Sequence, residues 1–386
     1  MAVSKIIFLT CMPLEAPRSA SMAFMGQLLE KYPQSFCWYS LRSPAPGTVN
    51  PFNIPYATGQ SFQHFTRFPR LKQFIQYFPW AWDSGRKAAA FGRAQKVQAV
   101  LADLAFEAVV AGRVAAWHLG VPLLVMVHDD PVSRLRVKDT PGWFLELYER
   151  EFARTLRASR RCAVICDYMG ETYQKRYGVE TITLFPGVEA EKCLPPRVFD
   201  PGRKSIVIGS VGSATSVANW DTLLEAVRLL NQRHGAGKFR ILHLGAYPKD
   251  LPLSPDVETT GWLPESDFVH QLRRMDLGFL NWGFAPELEE TRSTSFPLKI
   301  SSYIQAQVPM LALGPGDSTV VRFVQDYHCG LACIKPEVDT LAAQVEALAF
   351  NEKIYSVAME GVVTLKNIFS RPVFFERFEQ FVRTAA

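Results

Sequence analysis

Two stretches of the chain carry titratable side chains at positions where a fold could put them to use. In VMVHDDP, His128, Asp129 and Asp130 directly follow an apolar run that reads as a buried strand. His and Asp are the usual proton carriers and hydroxyl binders. The alternative is a turn in which an Asp caps the next helix and the His only packs. In RSTSFPLKISSYIQ, residues 292–305, the hydroxyls of Ser293, Thr294 and Ser295 together with Pro297 mark a helix start. Lys299 then falls in the first turn, at the positive end of the helix dipole, where a carboxylate is favoured. A cation there suits a bound phosphate, since free amides at a helix N-terminus attract anions and a lysine adds a point charge. Otherwise it is a solvated lysine tolerating a weak dipole clash.

Two weaker patterns flank these. In 206–219 an apolar run ends in Gly209 and Gly212, then Ser213 and further small residues, and a helix begins near Trp220. Such a glycine-rich strand-to-helix loop can approach a phosphate closely, or can be a plain tight turn. Glu287, Glu289 and Glu290 precede the Lys299 stretch and either bind sugar or ribose hydroxyls or form a solvated loop. His118, in AAWHLG, reads as structural.

These residues need elements to position them. Short apolar runs alternate with amphipathic segments, the pattern of βα units and parallel sheets. In the first half, strands are expected over 5–10, 36–41, 108–111, 123–127, 162–166 and 181–184, with helices over 23–31, 88–104 and 142–158. Residues 186–204 are rich in Pro, Gly and charge and mark a boundary. The second half restarts the pattern, with strands over 205–211, 239–244, 257–259, 277–280, 310–313 and 331–334 and helices over 221–233, 267–274, 298–305, 318–325 and 340–349. The expected fold class is α/β: two Rossmann-like doubly wound domains, 1–195 and 196–365, facing across a cleft. A last amphipathic helix in 366–386 is expected to pack back on the first domain. Open α/β sheets bind ligands beyond the C-terminal ends of their strands.

A length of 386 residues suits two such domains. The formal charge of +5 is modest and does not point to nucleic acid. The N-terminal IIFLT reads as a strand and not as a signal peptide, and no run approaches about 18 uninterrupted apolar residues. Seven cysteines, an odd count in a large chain, fit a reducing cytoplasm. Neither C-x-x-x-C pair, Cys162/Cys166 or Cys329/Cys333, has a second ligand pair at zinc-site spacing, so no metal is expected. Residues 61–100 hold seven Lys/Arg against one Asp, interleaved with Phe, Tyr and Trp. That mixture suits the inner face of a membrane or a core-packed connector with a basic face.

Taken together, the chain resembles the GT-B glycosyltransferases, particularly the family four type. FPLKISSYIQAQVPMLALGPGD is similar to the family's PLK-x-x-E-Y-x-A-x-G-x-P-V-x-A segment, GWLPESDFVHQLRRMDLGFLNW to the stretch before it, and CDYMGETYQKRYGVETITLFPGVEAEKC to the end of the first domain. The resemblance implies a nucleotide-sugar donor held by the second domain and a glycan or lipid-linked acceptor held by the first, without a cofactor or metal. It implies that Lys299 and the amides of Thr294 and Ser295 meet the donor diphosphate, that Gly209, Gly212 and Ser213 border it, and that His128 faces the donor sugar. Gly261, Trp262 and Leu263 would lie near the nucleobase, and Arg18 and Ser19 on the acceptor side. Two departures stand out. Family members often carry Arg and Lys where this chain has Ser213 and Ala218, which leaves Lys299, Arg292 and Arg18 to supply positive charge. The family's paired glutamates, one of them ribose-binding, fall on Thr294 and Ser302. Retention of anomeric configuration would need no dedicated base, whereas inversion would use Asp129 or Asp130. A sugar-nucleotide epimerase, or a noncatalytic partner of another transferase, would share the same architecture.

Overall fold

The computed structural model describes residues 4–12, 20–42, 50, 52–59, 69–138, 140–212, 216–247 and 254–383, with Ala20 and Ser21 described by backbone alone. The chain divides into two compact units, residues 1–186 with 374–386, and residues 187–373.

The first unit is built on a parallel sheet of seven strands: β1 (Ile6–Thr10), β2 (Phe36–Ser40), β3 (Tyr56–Thr58), β4 (Ala99–Asp103), β5 (Leu123–Val127), β6 (Arg161–Val164) and β7 (Thr181–Thr183), in the order β3-β2-β1-β4-β5-β6-β7. The second has six strands: β8 (Ile206–Val211), β9 (Phe239–Leu244), β10 (Val257–Thr259), β11 (Leu277–Asn281), β12 (Met310–Leu313) and β13 (Gly330–Cys333), in the order β10-β9-β8-β11-β12-β13. In both sheets the strand order reverses beside the first strand, at β1/β4 and at β8/β11. Such switch points are where doubly wound sheets leave a crevice.

One expected strand is corrected. Residues 108–111 are helical, within Ala108–Leu119, and the strand of this region is β4, inside the stretch expected to be helical over 88–104. AVLAD is buried on both faces between β1 and β5, so it shows neither helical nor alternating periodicity. AVVAGRVAAWHL is apolar almost all round because it packs tightly on β4: a Cβ at Gly112 would lie 2.5 Å from the Cβ of Ala102. The preceding helix, Ala81–Ala94, ends where Lys96 takes a left-handed φ of 56°.

Residues 187–195, the first part of the Pro-rich stretch, hydrogen-bond within the second unit: Val188 N–H donates to Phe369 O (2.6 Å) and Leu194 N–H to Gln305 O (2.8 Å). Asp276, just before β11, holds Arg197 at 2.9 Å, also pairs Arg203, and accepts from Val207 N–H at 2.8 Å. The charged tail of the boundary segment is thereby fixed to the base of the second sheet. The helix Arg371–Arg383 ends the chain, and its Phe374, Phe378 and Phe381 enter the core of the first unit among Phe24, Leu28 and Phe36. Tyr32 Oη donates to Glu379 Oε1 at 2.6 Å beside them.

Phe378 is fully buried. Phe378→Ala is expected to cost the first unit about 3–5 kcal/mol, read as a lowered urea midpoint; a midpoint equal to the parent's would show that the last helix is dispensable.

Candidate functional site

In the second unit Gly212 follows β8, Gly261 follows β10, and Lys299 opens the helix that leads into β12. Lys299 is the first residue of the helix Lys299–Ala306, which no side chain caps. Four residues on, fully buried Tyr303 ties this helix to the switch point. Its hydroxyl lies 2.8 Å from Phe279 O on β11 and 3.2 Å from Gly209 O on β8, and it accepts from Val211 N–H at 3.3 Å. The approach is possible because Gly278 lies under the ring: a Cβ there would come within 2.5 Å of it. Removal from water pushes the Lys299 ammonium down to about 8. Ser302 is on the same helix face, one turn after Lys299, and is partly exposed.

The glycines divide by role. Gly209 is a strand residue against which Met275 packs, since a Cβ would meet the Met275 sulfur at 2.2 Å. The absence of a side chain there serves packing. Gly212, at the end of β8, takes a φ of +79° and faces open space on its Cβ side. Gly245, at the end of β9, takes a φ of +145°, and a Cβ there would lie 2.5 Å from Gly212 O. The two turns therefore pack backbone on backbone. Ser213 lies outside the described residues.

The hydroxyl run before Lys299 does not cap its helix. Ser293 and Thr294 belong to the preceding short helix, Glu289–Thr294, and both donate their hydroxyls to Glu290 O at 2.9 and 2.8 Å. Ser295 is extended, and its carbonyl accepts from Thr319 Oγ1 at 2.6 Å. The Arg292 guanidinium makes a two-pronged pair with Asp317, 3.1 Å on each arm. Glu287 and Glu289 are exposed. Gly261 takes a φ of +68° after β10, followed by exposed Trp262 and half-buried Leu263.

Sequence reasoning missed two residues here. Asn219, buried in the first turn of the helix Val217–His234, donates to Trp282 O (2.8 Å) and Leu313 O (3.2 Å), joining that turn to the ends of β11 and β12. His243, buried near the end of β9, has Nε2 3.1 Å from Ala246 O, and burial lowers its pKa, with the Lys299 charge acting in the same direction. A polar residue inside the apolar FRILHL was the available signal for His243.

In the first unit, His128 follows β5 and is 7% exposed, with its ring edge-on to Phe24 and neither nitrogen hydrogen-bonded among the described residues. Burial pushes its pKa below 6.5 against the pull of Asp103 and Asp129, so it is neutral near pH 7. Asp130 is committed to structure. Oδ1 accepts from Ser133 N–H at 2.7 Å and caps the helix Pro131–Arg136, and Oδ2 accepts from Tyr173 Oη at 2.7 Å. Burial raises its pKa against these two bonds. Asp129 is more open and pairs with Arg134 at 3.5 Å. Near the switch point of this sheet the structure adds Asp103, which accepts from Thr10 Oγ1 at 3.1 Å, and the fully buried Glu107, whose partners are Cys11, Gln76 and Arg42. Arg18 and Ser19 lie outside the described residues.

No protein-family model and no curated protein matches the sequence. Solved structures do match over nearly the full length. The lipopolysaccharide outer core galactosyltransferase WaaB, in its apo form, aligns with a TM-score of 0.66 at 11% identity over 99% of this chain and 100% of that one. A trehalose-6-phosphate protein from E. coli bound with UDP-2-fluoro glucose gives 0.63 at 10% identity, over 98% and 99%. A Listeria monocytogenes structure named for UDP-N-acetylglucosamine 2-epimerase gives 0.58 at 13%, over 99% and 96%. The fold is thus GT-B, two Rossmann-like units with parallel sheets, and glycosyltransferases are prominent among the structures it resembles.

Tyr303→Phe leaves Val211 N–H and the carbonyls of Phe279 and Gly209 without their shared partner. It is expected to cost about 1–3 kcal/mol by denaturant unfolding, and an unchanged stability would remove the hydroxyl from the account of this site.

Proposed function

We propose that the protein is a glycosyltransferase that moves a sugar from a nucleoside diphosphate sugar to a hydroxyl of a glycan or lipid-linked acceptor. The observation that carries the reading is Lys299. A partly buried ammonium at the uncapped start of a helix, anchored by Tyr303 at the sheet's switch point, is suited to a diphosphate. The nucleotide sugar named with the E. coli neighbour supports the same donor class. A lipid-linked acceptor would bring the protein to the cytoplasmic face of a membrane.

The barrier to sugar transfer is charge separation between an oxocarbenium-like sugar and a departing diphosphate. Oriented amides and a cation fixed beforehand lower it without reorganising during the reaction. With Arg292 engaged by Asp317, we assign the main positive charge to Lys299, without a resident metal. We assign the nucleobase to Gly261, Trp262 and Leu263, and the turn beside the diphosphate to Gly212. In the first domain we assign neutral His128 a hydrogen-bonding role toward a sugar hydroxyl. Asp130, with both oxygens engaged, is a poor base, which favours retention; Asp129 is left as the base if the reaction inverts.

The test is thermal stabilisation by a panel of nucleotide sugars, followed by slow donor hydrolysis. Lys299→Ala should weaken donor binding about 10- to 100-fold, as expected for losing a hydrogen bond to a charged group; equal binding would remove the diphosphate assignment. Because the ammonium of the free protein titrates at about 8, donor affinity should fall as pH rises above that value, and Lys299→Ala should abolish this dependence. A parent whose affinity holds constant to pH 10 would contradict it. The epimerase reading, favoured by the Listeria neighbour, predicts interconversion of free donor with no acceptor added.

A further inference from the structure

On the first unit, residues 69–94 form a continuous helical run through Pro69–Ile75, a π turn at Gln76–Trp80 that contains Pro79, and Ala81–Ala94. Phe74, Phe78 and Trp82 recur four residues apart along it. Phe74 meets Trp143 at one end (6.1 Å between ring centroids) and Trp82 meets Trp117 at the other (6.1 Å), with Phe74 and Phe78 5.3 Å apart between them. Three tryptophans of this line are left open to water: Trp82 is 42% exposed, Trp143 57% and Trp117 68%. Beneath the Trp82/Trp117 pair is a groove of about 670 Å³, lined by Val114, Pro122, Arg113 and Arg160 as well as the two indoles. Arg160 and Leu123 stand at the starts of β6 and β5, so this groove lies at the end of the sheet opposite His128.

The helical run is predominantly basic, while Arg113 in the groove is paired with Glu151. Arg70, Lys72, Arg86, Lys87, Arg93 and Lys96 face a single acid in 69–100, Asp83, which is paired with Lys87 at 2.5 Å. Exposed tryptophans are costly in water but suited to the headgroup layer, where an amphipathic ring has one apolar and one wet side. Cations beside them meet anionic headgroups. Among the described residues no helix is long and apolar enough to cross a membrane.

We propose that the Trp143–Phe74–Phe78–Trp82–Trp117 line and its basic flank are a docking surface for an anionic phospholipid bilayer, with Trp82 and Trp117 entering the interface and the groove beneath them receiving lipid. The surface extends the transferase reading by placing the protein where a lipid-linked acceptor resides. It is tested without nucleotide, so either can fail while the other stands.

The test is sedimentation of the full chain with vesicles of phosphatidylcholine alone or of equimolar phosphatidylcholine and phosphatidylglycerol, with tryptophan emission as a second readout. The parent should bind the mixed vesicles, shift its emission to the blue, and lose binding as salt is raised. Trp82→Ser/Trp117→Ser should weaken binding roughly tenfold or more, as should Arg86→Glu/Lys87→Glu. Unchanged circular dichroism and an unchanged urea midpoint would show the variants folded. Equal binding to both vesicle types would overturn the anionic part. Full binding by the tryptophan variant would overturn the aromatic part. No binding, or a parent that dimerises through this face and becomes monomeric in the tryptophan variant, would overturn the proposal.

Discussion

The second unit depends on one phenol. Tyr303 is the point at which a helix, two central strands and a switch point are fixed to one another, and its hydroxyl replaces water for backbone groups on both β8 and β11. The contact needs Gly278 under the ring, and a neighbouring close contact needs Gly209 under Met275. Because the tyrosine sits one helical turn after Lys299, holding the ring also holds the ammonium. The lowered pKa of Lys299 follows from that fixed place and the water it is denied.

Burial acts differently in the first unit. His128 and Asp130 are two residues apart and both are out of water, yet among the described residues one has its nitrogens open and the other has both oxygens engaged. Asp130 organises the turn: it starts the helix Pro131–Arg136 and receives Tyr173 from the helix Asp167–Tyr177. That order presents His128 as a neutral, desolvated ring at the end of β5. Glu107, with Cys11, Gln76 and Arg42, shows the same economy of satisfied buried charge around the adjoining switch point.

Most elements could be read from the chain. Strands 239–244 and 310–313 and the helix 142–158 were legible because their ends carry glycines or prolines and their apolar patterns are clean. The exchange of strand and helix around 99–111 was not legible. A strand buried on both faces and a helix buried nearly all round give similar apolar runs, and the pairing of 99–103 with β1 and β5 separates them. The hydroxyl run at Ser293–Ser295 misled for a related reason. Ser, Thr and Pro signal a helix boundary, but the hydroxyls close the helix before the boundary and leave the one after it uncapped.

By itself the sequence determined the α/β alternation, the two-part organisation and the presence of a lysine in a helix's first turn, since these depend on local period, turn residues and dipole position. The state of the candidate site was decided by tertiary structure. Whether Arg292 is open or held by Asp317, whether Asp130 is a base or a cap, and whether Lys299 titrates near 10 or near 8 all depend on groups distant in the chain and on how much water each is denied. Desolvation and long-range partners leave no periodic trace in a sequence, because they arise only when separate strands bring their ends together.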